Sequence, residues 1–506
     1  MVRSMAGEDN EVTQAFRIIL CLAGILSHVL VTYAADPVAP ADSENTIDIG
    51  SRRELFVDRL LIERMQGVEL RLHHPVCTPR PKSPLPVGHY VTVIKDIDEA
   101  GVLFRAYWRG HNQSFNGDRS SGHAGETVEY AESRDGHEWS FPELGLHEVN
   151  GTRRNNVILA NMPSLLHNFS PFLDTNPDAL PSERFKALAG YPGKGDKRGK
   201  AKPGMGLFAF VSADGIHWTL RDEVIPYRNE WRHAFDSQNV SFWSAAEQRY
   251  VCYFRTWTTP DRLRSISRTT SKDFQVWTEP TAMNPNLPGE HLYTNQTHPY
   301  VRAPHIYISF PTRYVPGRGD STASSDHNNA TDILFMSSRT GTTHYDRTFT
   351  EAFMRPGMNS ARWTNRANYV ALNVVPTSRT ELSLYHRSGD RYVIRPDGFV
   401  SVHGGSEPGE LVTRPLTFDG DQLTVNASTA AAGSLRVELQ TGDGKPIPGL
   451  TLADCHTAFG DRIDMKIRWQ KGTISKWAGK PVRLRFQLHE CDLYSFQFER
   501  ASSDHQ

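Results

Sequence analysis

Polar side chains recur just before the apolar runs of this chain, and they are the residues best placed to do chemistry. They are His89; His167 with Asn168; Asp236, Gln238 and Asn239; Asn295, Gln296 and His298; and Asn365, Arg366 and Asn368. Such groups donate to and accept from hydroxyls, so together they suit a hydroxyl-rich ligand. The plainer explanation is that they satisfy backbone groups along a buried channel. Cleaving an acetal needs two carboxylates that face each other across the bond. The candidates are Asp236, Glu351, Glu290 and Asp174, with Asp236 foremost because it stands at the start of an apolar run. His298 or His305 could act as the acid if no second carboxylate is in place. The expected ligand contacts are His89, His167, Gln238, Asn239, Asn295, His298, Arg366 and Asn368.

The elements that position these residues can be read from a repeat. Ser133-Arg134-Asp135-Gly136-His137-Glu138-Trp139 reads S-x-D-G-x-x-W, and Ser212 to Trp218 repeats it. Ser271 to Trp277 keeps the Ser, Asp and Trp, and Ser338 to His344 keeps the Ser and Gly. The copies lie roughly 60 to 80 residues apart, a spacing suited to propeller blades with long loops. Each follows an apolar or alternating run, such as Leu207 to Val211, as a hairpin requires. A second hairpin precedes each copy, for example Tyr90 to Ile94 followed by Val102 to Trp108. Two hairpins per unit make four-stranded blades, and the pattern predicts about five of them. Asp135 and Asp214 are read as turn residues, and Trp139, Trp218 and Trp277 as packing between blades.

The expected fold is all-β: a five-bladed β-propeller followed by a β-sandwich. The predicted boundaries are a signal peptide at 1–34, a linker at 35–50, the propeller at 51–394 and the sandwich at 395–500. Charged residues near Arg3 and Arg17, the apolar stretch Ile18 to Val31 and small residues near Ala34 predict export, secreted or periplasmic, with no membrane span in the mature form. The 506 residues carry 56 basic and 57 acidic side chains, so no field of one sign favours nucleic acid. Cys455 and Cys491 share the C-terminal segment and could pair, whereas Cys77 and Cys252 are expected to be free and buried. No cofactor is expected and no metal ligands are assigned. A structural calcium in the channel stays open, although no Asp-rich loop asks for one.

Glu54-Leu55-Phe56-Val57-Asp58, Asp236-Ser237-Gln238-Asn239-Val240, Glu351 to Gly357, Arg395 to Ser401 and Gly479 to Phe486 give the chain a resemblance to a known clan. It resembles the glycoside hydrolases of invertases, levansucrases and arabinanases (families 32, 43 and 68), and in particular exported proteins with a family 32 N-terminal-like propeller. The resemblance implies a carbohydrate partner and glycosidase chemistry in the axial pocket. The invertase motif Trp-Met-Asn-Asp-Pro-Asn-Gly, an Arg-Asp-Pro and the Glu-Cys of the invertase acid are absent. The clan's catalytic residues therefore do not transfer by motif. A propeller that binds carbohydrate or another surface without cleaving it is the alternative.

Overall fold

The computed structural model describes residues 46–86, 88–117, 123–190, 205–228, 231, 234–318 and 329–500. The expected signal peptide, most of the linker and much of the loops near 190–206 and 317–329 lie outside the described residues. Among the described residues, no helix is long and apolar enough to cross a membrane.

The structure is almost wholly β. Antiparallel four-stranded sheets form in chain order. The first runs through His89–Asp98, Gly101–His111, Glu126–Ser133 and Val157–Leu159. The second uses Ser170–Leu173, Phe185–Ala189, Gly206–Ser212 and Thr219–Pro226, and the third Val240–Ser244, Arg249–Trp257, Arg264–Ser271 and Thr281–Ala282. The fourth unit is split into two three-stranded sheets. One holds His298–Tyr300, Ala303–Ser309 and Met336–Arg339; the other holds His291–Leu292, Thr312–Pro316 and Asn329–Ile333. The last sheet joins Val375–Ser378, Glu381–Tyr385 and Arg391–Ile394 to Val76–Cys77, a strand from the start of the chain. Five blades result when the two three-stranded sheets are taken as halves of one.

Period-two alternation closes these sheets into a ring. In Arg249–Trp257, Tyr250, Cys252 and Phe254 pack toward the second sheet, and Val251 and Tyr253 toward the fourth unit. In His89–Asp98, Ile94 faces the second sheet and Val93 the last. Each sheet thus buries both faces against its neighbours. The ring is sewn between its last and first units, where Leu372 N–H donates to Val91 O at 2.8 Å and Val93 N–H to Leu372 O at 3.1 Å.

The repeated turns behave as the sequence predicts. Gly136 N–H donates to Ser133 Oγ at 2.9 Å, and the N–H groups of His137 and Glu138 donate to Asp135 Oδ1 at 2.7 and 2.9 Å. Asp214 receives Ile216 and His217 in the same way, both at 2.8 Å. The third copy places Phe274 at φ 64° in the left-handed slot that Gly136 and Gly215 fill elsewhere. Trp139 is buried between the first and last sheets, and Trp218 and Trp277 pack at blade interfaces.

The predicted boundary at residue 51 is corrected. Ile47–Gly50, Arg53–Leu55, Ile62–Gln66 and Val68–Leu72 belong to the ten-stranded sheet system that also holds Val400–Gly404 through Val482–Glu499. The chain therefore enters through the sandwich before it builds the propeller. Two long strands, Gln422–Thr441 and Val482–Glu499, pair along most of their length and carry the sandwich core. Two ionic networks fasten this module to the fourth unit. Asp397, fully buried, accepts from Tyr300 Oη at 2.7 Å, Arg302 at 3.0 Å, Asn426 at 3.0 Å and Ser495 Oγ at 2.6 Å. Glu54 meets His305 at 2.9 Å and Arg339 at 2.7 Å, and Arg339 also meets Asp58 at 2.6 Å. His305 is thereby engaged in a buried structural hydrogen bond with Glu54. Cys455 and Cys491 are buried and unbonded, Cys252 is buried, and Cys77 is exposed on its edge strand, contrary to expectation.

Candidate active site

A non-glycine residue in the left-handed region lies near the start of each unit: Tyr90 (φ 56°), Asn168 (58°), Phe235 (67°), Gln296 (48°) and Arg366 (59°). Such a conformation costs on the order of 1–3 kcal/mol per residue. Asn168 and Gln296 each lie two residues before their strand, whereas Phe235 and Arg366 lie five and nine residues before theirs.

At this end of the axis three tyrosines form a cluster. Tyr90 stacks on Tyr369 with centroids 5.7 Å apart, and Tyr293 lies 5.7 Å from Tyr369. Guanidinium groups surround them. Arg109 lies 5.1 Å from the Tyr90 ring, Arg255 5.4 Å and Arg264 5.0 Å from Tyr293, and Arg264 is also 4.8 Å from Tyr314. Arg366 hydrogen-bonds Tyr293, and Arg387 donates to Arg366 O and meets His89 Nε2 at 3.3 Å.

Two carboxylates enter the same cup, joined by one imidazole. His167 Nδ1 lies 3.0 Å from Glu126, and its Nε2 lies 3.6 Å from Asp236 Oδ1. The buried His167 ring thus stands between the two carboxylates and links them in one hydrogen-bonded chain. Asp236 binds Arg255 at 2.8 Å, and its side chain keeps 36% exposure. Burial alone would raise its pKa, but the His167 hydrogen bond and the Arg255 charge outweigh burial and hold it well below the usual carboxylate range. For Glu126 burial is likewise outweighed, here by hydrogen bonds from His123 and His167 and by the Arg109 charge. Burial first, then Arg387, Arg109 and Arg366, push His89 down to about 3.

His123, Glu126 and His167 offer three donor atoms within 4.8 Å of one another, a set that could ligate a metal. Arg109 Nη1 already lies 3.1 Å from Glu126 and 3.3 Å from His167 Nδ1. A cation held there would face a guanidinium, so the donors fit a resident metal poorly.

Of the sequence candidates, the cup gathers Asp236, His167, His89 and Arg366. The remaining expected ligand contacts are corrected, because they are buried and bonded to the protein's own side chains and backbone. Gln238 Nε2 donates to Thr92 Oγ1 at 2.8 Å, and Gln296 Nε2 donates to Gln238 Oε1 at 2.6 Å and to Val370 O at 3.0 Å. All are buried, and they plug the axis. Asn239 donates to Phe235 O, Asn295 Oδ1 accepts Thr297 N–H, and Asn368 donates to Thr331 O and Arg362 O. His298 bridges Gln296 O and Val374 N–H, and burial lowers it to about 4. Beyond the plug, the far ends of the same strands line an apolar cavity of about 710 Å³ with Phe172, Trp243 and Val374.

The other proposed carboxylates lie elsewhere. Asp174 is buried against Lys186 at 2.7 Å and Tyr250 Oη at 2.8 Å. Glu290 is paired with Arg347 at 2.8 Å. Glu351 is exposed and lines a separate cleft of about 950 Å³ with Arg313 and Trp363. The carboxylate of this cluster that the sequence does not reveal is Glu126, at the start of a third strand where no local pattern marks it. Arg255 did leave a signal, as a charge after the apolar run Tyr250 to Phe254.

The structure is thus an all-β propeller joined to a sandwich, with a tyrosine and arginine cup at one end of its axis. No known family matches the chain, and no curated protein matches it. Among solved structures it is similar to a glycoside hydrolase family 43 arabinoxylan arabinofuranohydrolase from Bacillus subtilis, at 11% identity over 83% of this chain and 97% of that one, with TM-score 0.37. It is also similar to an N-acetylgalactosamine deacetylase from F. plautii (11% identity, 82% of this chain and 95% of that one, TM-score 0.40). A Bombyx mori family 32 β-fructofuranosidase matches at 9% identity over 85% of this chain and 95% of that one, with TM-score 0.36. At these scores the likeness assigns neither an activity nor a substrate.

Proposed function

We propose that this chain is an exported glycoside hydrolase-like protein whose axial cup binds a saccharide and cleaves a glycosidic bond. The observation that carries the reading is the chain Glu126–His167–Asp236 beside the tyrosine cluster. Asp236 is the better exposed of the two carboxylates, and being ionised it would serve as base or nucleophile. His167 stands with one ring nitrogen toward each carboxylate, so it can pass a proton between Glu126 and the cup. The residues in named roles are Asp236 as base or nucleophile, His167 as proton carrier and Glu126 as its partner.

A specific observation favours the second reading, a saccharide-binding propeller without turnover. Both carboxylates are held ionised by cations, so neither stands ready as the protonated acid that cleavage requires. Hydrolysis of a broad glycan and aryl-glycoside panel separates the two. Turnover that falls at least about 100-fold in both Asp236→Asn and Glu126→Gln supports the enzyme. Saturable binding with no turnover on any sugar supports the binding protein.

A further inference from the structure

The charges in the cup do not balance. Arg109 is answered by Glu126 at 3.1 Å and Arg255 by Asp236 at 2.8 Å. Arg264, Arg366 and Arg387 have no carboxylate within ion-pair distance among the described residues, although Arg264 and Arg366 both reach Tyr293 and Arg387 reaches Arg366 and His89. The excess is local: the whole chain carries a formal charge of only −1.

Like charges packed this closely repel, and partial burial denies them water's screening. Burial first, then the neighbouring Arg255, lowers Arg264; burial, together with Arg366, lowers Arg387. The aromatic faces beneath them offset part of this cost but supply no countercharge. His89, at the rim, stays neutral beside Arg387 and adds no negative charge. What would relieve the repulsion is a planar or tetrahedral anion, which guanidinium forks bind in paired, charge-assisted hydrogen bonds.

We infer that the axial cup takes a saccharide bearing an anionic group, a carboxylate or a sulfate, held by Arg264, Arg366 and Arg387 beside Asp236. The inference rests on the reading of the cup as a saccharide site and names its substrate class. The arginines fix the anionic group and leave the exposed edge of Asp236 toward the neighbouring linkage.

The test is calorimetric titration of the full chain with three probes: a trigalacturonate, a sulfated heparin-derived tetrasaccharide, and neutral cellotriose. The expected result is saturable binding of at least one anionic probe and none of cellotriose. That affinity should fall at least about tenfold between about 50 and about 500 mM salt. Arg264→Gln and Arg387→Gln should each weaken it by about tenfold or more at an unchanged melting temperature. The salt series needs no variant, so it decides the matter even if a substitution unfolds the chain. Cellotriose binding as tightly as the anionic probes, no binding of either anionic probe, or affinity indifferent to salt would each overturn the inference. Binding of trigalacturonate that survives Asp236→Asn, with no hydrolysis by the unaltered chain, would sustain the anionic cup while removing the proposed enzyme. Hydrolysis of neutral glycans alone would do the reverse. The two anionic probes distinguish a uronate from a sulfate as the preferred group.

Discussion

A carboxylate that acts on a ligand has to reach it, and Asp236 combines 36% exposure with a fully buried partner, Arg255 at 3%. Replacing Asp236 with Asn keeps the shape but removes the countercharge, so the variant should lose some stability as well as activity. Because Asp236 is itself partly in water, the loss should stay near 1–2 kcal/mol and not reach that of a wholly buried pair, as denaturant melts can check. The histidines make a second prediction at this scale. An unfolded chain protonates His near pH 6.5, whereas His89 and His298 in the fold wait until about 3 and about 4. The unfolded state therefore binds more protons in that window, and stability falls as pH drops from about 6.5 toward those values. The depressed Asp236 and Glu126 act in the same direction: their contribution is present above the unfolded carboxylate range, near pH 4, and is lost as pH falls through the folded values. Melting temperatures across pH 7 to 3 should show the decline, and His89→Gln should flatten it. At this scale the sequence displays Asp236, His167, His89 and Arg366 because each precedes an apolar run. It hides Glu126, which reaches the cup only through the pairing of its strand with Gly101–His111.

The repeat is visible in sequence because the turn's chemistry is local. Ser, Asp and Gly close their own hydrogen bonds within six residues, whatever the rest of the chain does. Asp214→Ala should therefore cost only about 1 kcal/mol, similar to a lost helix cap, and leave ligand affinity untouched. Asp397→Ala should behave differently. It strips a fully buried carboxylate from Tyr300, Arg302, Asn426 and Ser495 and should cost about 3–5 kcal/mol in thermal or urea melts. Glu54 to Asp58 and Arg395 to Ser401 stand out in the sequence as part of its resemblance to the glycoside hydrolase clan. The structure shows Glu54, Asp58 and Asp397 fastening sandwich to blade.

Over the whole molecule, residues 46–77 serve both modules, giving four strands to the sandwich system and Val76–Cys77 to the last blade. A chain beginning at residue 79 should lose both at once, so its thermal transition should vanish and not merely shift, as calorimetry would show. This double use is illegible in sequence because Ile47–Gly50 pairs with Leu416–Phe418, a partner some hundreds of residues away that no local period announces. The all-β class and the order of propeller then sandwich are legible, since alternation and turn spacing are properties of neighbouring residues.

The glutamine bridge across the axis has a topological consequence. Gln238 and Gln296 tie the first, third, fourth and fifth units together, so among the described residues a buried hydrogen-bonded bridge crosses the ring. If the cup takes a saccharide as proposed, a long polymer would not be threaded along the axis; it would present a terminus or a bend at the mouth, and the product would leave by the way it came.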